Sequence, residues 1–212
     1  ISFISMAGIA LGVAALIIVL SVMNGFQRDV RDRMLSVIPH LEVFEASGAA
    51  LPDWQAAAKA ASEAVPGAVQ GAAPFVSSQM LLARGDVLRG AVVRGISPAE
   101  EAAVTPLGAK LRDGAFAQLA PGQWQVVLGS ELARQLGVRE GDQVTLMASC
   151  CQVTPACVVP RLRAFTVAGT FSSGHYEYDS TLALIHLDDA ARLLRTDGAT
   201  GVQFKLTDLH AA

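Results

Sequence analysis

The sequence predicts an α+β domain preceded by one membrane-crossing helix, and three observations predict it. Ile1 to Gln27 contains no charged residue. Beyond Pro39 the apolar residues alternate in short runs punctuated by Gly, Pro and Asp, with only a few stretches at helical spacing. Hydrophobic residues make up 52% and charged residues 17% of 212 residues; soluble domains average about 25% charged. That length suits one ordinary core plus one extra element rather than two full domains. The chain opens at Ile1 without an initiator Met, so a fragment is expected.

A helix over residues 1–27 spans roughly 40 Å at about 1.5 Å per residue, enough to cross a bilayer. A cleaved signal would have an apolar region of only about 7–15 residues and a small-residue cleavage site, so the run reads as a retained span. Gly8 and Gly12, with Ala7, Ala14 and Ala15 nearby, form a smooth face for a second helix. The mixed-sign run Arg28, Asp29, Arg31, Asp32 and Arg33 continues the helix into water to about residue 38.

The water-facing domain is expected over residues 40–212, with a βαβ-type subdomain at about 40–100 and 180–212 and a strand-rich subdomain at about 101–179. HLEVFEA reads as a strand, WQAAAKAASEAV as a helix ended by Pro66-Gly67, and Val69 to Val76 as the return strand. SSQMLLAR and VLRGAVVRGI flank a Gly85-Asp86 turn as a hairpin. Ser97 to Leu119 reads as connection with short helical turns. QVVLG and QVTLMAS are strands around a helix capped at Ser130 and ended by Gly137, with a turn at Gly141-Asp142. LRAFTVAGTF, STLALIHL and GVQFKLTD are further strands, with DDAARLLR a short helix between the last two. Trp54 and Trp124 read as core or partial-core anchors.

The charge balance, 16 Lys+Arg against 19 Asp+Glu, offers no basic excess for a phosphate backbone, so nucleic acid is not an expected partner. Nucleotide-binding loops, H-E-x-x-H and G-x-S-x-G are missing, and the four His are scattered, so neither catalysis nor a bound metal or cofactor is expected on this chain. Asp188-Asp189 precedes AARLLR and reads as a helix cap. His175, Tyr176, Glu177 and Tyr178 form a polar aromatic cluster read as a loop.

Ser149 to Pro160, SCCQVTPACVVP, stands apart. It exceeds the roughly 2–5 residues of a hairpin connection, carries Val153, Ala156, Val158 and Val159, and is stiffened by Pro155 and Pro160. A stiff apolar loop loses less entropy on binding, which suits protein docking. In an oxidising compartment Cys157 could pair with Cys150 or Cys151 and close the loop as a ring. A zinc site lacks a nearby His to complete the ligands.

The run from Ile4 to Leu35, with SVMNGF at Ser21 to Phe26, resembles the first membrane helix of lipoprotein-releasing permeases of the LolC/LolE type. GISP at Gly95 to Pro98, the segment Val126 to Met147 and VAGTFSSGHYEYDS at Val167 to Ser180 continue the resemblance along essentially the whole chain. The strand-helix-GD-strand element is shared with MacB-like and FtsX-like relatives. The resemblance implies a bacterial inner-membrane permease subunit with its large domain in the periplasm, paired with a second protomer as homo- or heterodimer. ATP and Mg would be bound by a separate LolD-like subunit, and lipoproteins would pass to the periplasmic carrier LolA. It implies a carrier-binding hook at Val153, Thr154, Pro155, Ala156, Val158, Val159 and Pro160, with Arg163 on the adjacent surface, and so a LolC role or one gene product doing both jobs. Leu162 departs from the polar residue common there. Met23, Asn24 and Phe26 would belong to a lipoprotein pocket. The alternatives are a MacB-like efflux subunit contacting an adaptor or an FtsX-like subunit activating a cell-wall hydrolase.

Overall fold

An uninterrupted apolar run has nothing to end a helix, and none ends before Leu35. Helix α1 spans Ser2–Leu35, and its stretch Phe3–Gln27, with mean hydropathy 2.7, is long and apolar enough to cross a bilayer. The computed structural model describes residues 2–35, 41–44, 50–51, 53–65, 67–105, 118–154 and 157–207. Helix and water-facing domain are separate compact units.

The domain is one eight-stranded sheet, ordered β1-β8-β2-β3-β7-β4-β6-β5. The strands are β1 (Leu41–Phe44), β2 (Val69–Arg84), β3 (Val87–Ile96), β4 (Gln125–Gly129), β5 (Gln143–Thr154), β6 (Cys157–Phe171), β7 (Leu182–His186) and β8 (Gly201–Leu206). Helices α2 (Trp54–Ala64), α3 (Pro98–Val104), α4 (Ser130–Leu136), α5 (Tyr176–Thr181) and α6 (Leu187–Leu194) connect them.

The first segment is a split β-α-β unit. Asp53 accepts a hydrogen bond from the Ala56 amide at 2.9 Å and starts α2. The chain returns in β2, but β8 pairs antiparallel with both β1 and β2 and so lies between them. The expected βαβ unit is thus opened by a strand from the far end of the chain. The two strands expected at Val69–Val76 and Ser77–Arg84 are one 16-residue strand. Its N-terminal half pairs with β8 and its C-terminal part with β5, while β3 pairs along it from Phe75 to Arg84.

The second feature is a closed circuit. From β2 the pairing passes through β3, β7, β4, β6 and β5, and β5 returns to β2, with Met80 opposite Ala148 and Ala83 opposite Thr145. Each strand sends alternate residues into one cluster: Met80 and Leu82, Ala91 and Val93, Val126 and Leu128, Val144 and Leu146, Phe165 and Val167, Ala183 and Ile185. That period of two on all six strands is what a closed barrel-like wall requires, since successive side chains of a strand point to opposite faces. Leu132, Ala133 and Leu136 of α4 and Ala190 and Leu193 of α6 join the cluster. The strand-rich part therefore draws in β2, β3 and β7 and is not confined to residues 101–179.

Three local readings are corrected. His175 to Tyr178 is not simply a loop, because α5 begins at Tyr176 and buries Asp179. That carboxylate accepts from Ser173 N and Oγ, both at 2.7 Å, and from Ser172 Oγ at 3.1 Å, which anchors the turn before α5. Helix α4 starts at Ser130, but its cap position is Gly129 and no side chain caps it. The cap of α6 is His186, whose Nδ1 accepts from the Asp188 amide at 3.2 Å. Asp188 and Asp189 lie inside the first turn. The hairpin turn at Gly85-Asp86, the left-handed Gly137 (φ 66°) closing α4 and Gly141 (φ 86°) stand as expected. Pro39, Pro66 and the punctuated stretch 106–117 lie outside the described residues.

Candidate functional site

The segment read as a loop is built as strands. Past Ala148, β5 leaves β2 and continues with β6 as a two-stranded arm, with Gln152 opposite Val159, Val153 opposite Val158 and Thr154 opposite Cys157. The register shifts between Ala148 and Gln152. There Ser149, Cys150 and Cys151 oppose the single residue Pro160. Proline has no amide to donate, so the ladder cannot run straight through it, and a bulge on the facing strand absorbs the gap. Sequence spacing read the segment as too long for a hairpin connection, whereas the connection itself lies between Thr154 and Cys157. Pro155 and Ala156 are outside the described residues. Val153, Thr154, Val158, Val159 and Pro160 are placed by their backbone on the arm.

The same register argues against the expected ring of cysteines. Cys157 faces Thr154, and Cys151 lies three residues farther along β5, about 10 Å at ~3.3 Å per residue. Disulfides need Cα atoms within about 7 Å. Alkylation of the unreduced, exported protein is therefore expected to label Cys150, Cys151 and Cys157 in one chain. An intact mass two hydrogens short with one label would refute it.

The arm's base is well anchored. The Arg161 guanidinium donates to the Leu194 carbonyl at the end of α6. Leu162, 54% exposed, faces Met147 across β5, and Met147 faces the 45% exposed Leu81 on β2, giving an apolar band on the outer wall beside the arm. Arg163 is exposed, and its guanidinium carbon lies 4.2 Å from the Trp124 ring centroid. Trp124 meets Phe165 edge-on, with centroids 5.4 Å apart. The Gly122 and Trp124 amides donate to the two carboxylate oxygens of the fully buried Asp189, at 2.8 and 3.1 Å. The reading of Trp124 as a core anchor and of Asp189 as a helix cap missed this link. Asp189 sits 65 positions from Trp124, so no local pattern connects them.

Of the remaining candidates, Arg163 lies on β6, and Val153, Thr154, Val158, Val159 and Pro160 lie farther along β6 and its partner β5. Met23 and Phe26, 58% and 69% exposed, lie on α1 with Asn24. A Cβ added at Gly8 or Gly12 would meet nothing within 4 Å. No group of His, Cys, Asp and Glu among the described residues could hold a metal.

A hydrogen-bonded polar chain crosses the split β-α-β unit. Arg94 donates to Glu42 at 2.6 Å and to Gln203 at 2.7 Å and lies 4.2 Å from the Phe75 ring centroid. Gln203 donates in turn to Glu101 on α3. Glu101 is 2% exposed, and burial raises its carboxyl above the ordinary range against the opposing pull of Gln203, Arg94 and Thr105.

The chain therefore combines one apolar span with a separate unit built of a split β-α-β segment and a closed strand circuit carrying a two-stranded arm. The chain belongs to the MacB-like periplasmic core domain family, which matches it over residues 2–210. It is 45% identical over its whole length to the lipoprotein-releasing system transmembrane protein LolC of Xylella fastidiosa strain Temecula1, covering 51% of that protein. It is also 44% identical over 98% of its length to LolC of Neisseria meningitidis and 33% identical over 98% to LolE of Haemophilus influenzae, covering 50% of each. The chain thus spans about half the length of the curated relatives it matches. Among solved structures it is similar to the extracellular domain of the noncanonic ABC-type transporter YknZ from Gram-positive bacteria, with TM-score 0.47 and 13% identity over 70% of this chain and 71% of that one. A second is the periplasmic region of MacB from Actinobacillus actinomycetemcomitans, with TM-score 0.42 and 14% identity over 80% and 67%.

Proposed function

We propose that this chain is the first membrane helix and the periplasmic domain of a permease subunit that extracts lipoproteins from the inner membrane and hands them to a LolA-like carrier. The observation that carries this reading is the arm, which leaves the barrel wall after Ala148 and pairs only within itself among the described residues. Identity of 44–45% to LolC proteins along the chain supports it. In this scheme the hook residues 153–160 with Arg163 capture the carrier, and Met23, Asn24 and Phe26 face the lipoprotein's acyl chains. The subunit is non-catalytic. A LolD-like subunit binds ATP and Mg and supplies the work, and a second protomer completes the membrane pathway.

The physical need is plain. An acylated anchor is held by about 0.8 kcal/mol per buried CH₂, so release from the bilayer requires an energy source. Holding the carrier at the exit raises its effective concentration and replaces diffusion of a greasy substrate by local transfer.

Photocrosslinking from position 158 in the full-length protein in membranes tests the reading. Capture of a LolA-like carrier is expected, falling severalfold in Pro155→Ala because a slacker tip loses more entropy on docking. Capture of an efflux adaptor or of a cell-wall hydrolase instead would move the protein to the MacB-like or FtsX-like role.

A further inference from the structure

Trp124 occupies a backbone position that a bulky residue avoids. Its φ is 51°, in the left-handed region. Three hydrogen bonds hold it there: the Gly122 and Trp124 amides donate to Asp189, and the Thr166 amide donates to the Trp124 carbonyl at 2.9 Å. Asp189 is fully buried and makes no ion pair among the described residues. A buried carboxylate is thus committed to fixing one strained turn, and the side chain on that turn presents its ring to Arg163. Strain kept in place by such over-determination points to a use.

The use follows from what Arg163 lacks. It is exposed, and no carboxylate among the described residues pairs with it. A guanidinium resting on an aromatic face keeps its edge donors for an incoming carboxylate, and a side chain already held loses little rotamer freedom when it docks. We infer that Trp124, fixed by Asp189, is a positioning residue that presets Arg163 at the root of the arm to meet an acidic patch on the carrier. This rests on the reading of the arm as the carrier's docking element.

Carrier binding to the full-length permease, in its transporter complex in lipid nanodiscs, tests the inference at two salt concentrations. Arg163→Ala is expected to weaken binding about tenfold at low salt and less at high salt. Fluorinated tryptophan placed at position 124 alone withdraws charge from the ring face while keeping its shape, and is expected to weaken binding about threefold to fivefold. Asp189→Asn, which retains one good acceptor for two amides, shifts binding in the same direction. In the Arg163→Ala background neither change has a further effect. If Arg163→Ala weakens binding but the fluorinated ring and Asp189→Asn leave it unchanged, Trp124 only packs on Phe165 and the positioning role is wrong. If the wild type fails to bind the carrier, or Arg163→Ala binds as well as wild type, the docking reading itself falls.

Discussion

Gly129→Ala is expected to lower the stability of the water-facing domain by about 3 kcal/mol, the upper range for overpacking, and its melting temperature by about 6–12 °C. The conformation at Gly129, φ −59° and ψ 142°, suits any residue, so the loss is steric alone. A Cβ there would lie 2.3 Å from the Asp179 carbonyl oxygen and 2.7 Å from its carbon. Backbone atoms cannot swing aside as a side-chain tip can. Moving α5 away would strain the bonds from Ser172 and Ser173 to the Asp179 carboxylate. Moving α4 would disturb Leu132, Ala133 and Leu136 in the core. Both tryptophans, Trp54 and Trp124, lie outside α1, so intrinsic fluorescence follows the domain during denaturation of the detergent-solubilised chain. Gly90→Ala is the control, since a Cβ at Gly90 meets nothing within 4 Å. Equal melting temperatures for the two variants would refute the clash.

The contrast between Gly129 and Gly137 also marks what a sequence discloses. Gly137 follows a helical period and its left-handed φ was legible, because C-terminal capping is a local event. Nothing near Gly129 announces that α5, some fifty positions on, will press against it. The same division runs through the fold. The apolar span, the alternation of the strands and the Gly85-Asp86 hairpin are local and were read. The insertion of β8 between β1 and β2 and the return of β5 to β2 are decided by which apolar faces find each other, and alternation is the same whichever neighbour a strand takes. At the site, the length and proline content of residues 149–160 were enough to single out the arm. Its strand character was missed because Pro160 and a three-residue bulge interrupt the alternation that would have revealed it. Trp124 and Asp189 were noticed separately, yet their link is tertiary and no spacing rule connects them.

Arg94→Met is expected to lower domain stability by about 2 kcal/mol at neutral pH, mostly from the acceptors left without a donor, since the pair with Glu42 is partly exposed. Methionine keeps much of the stem's packing on Phe75 but removes the donor shared by Glu42 and Gln203. Glu101, buried and bonded through Gln203, then loses the nearby positive charge that offsets its burial. The pH dependence separates this electrostatic loss from a packing loss. The folded-state pKa of Glu101 is already above its ordinary value of 4.5, so in the window between the two the folded protein binds the proton that the unfolded chain releases. Stability from this group therefore falls as pH rises through that window and is recovered as pH drops toward 4.5. Without Arg94 the folded pKa rises further and the window widens. The deficit of Arg94→Met should accordingly shrink as pH is lowered from 7.5 toward 5, and Glu101→Gln in the same background should flatten that trend, both read from denaturation midpoints. A deficit that stays constant with pH would assign the role of Arg94 to its contact with Phe75 and leave the charge network without a part in holding α3 to the sheet.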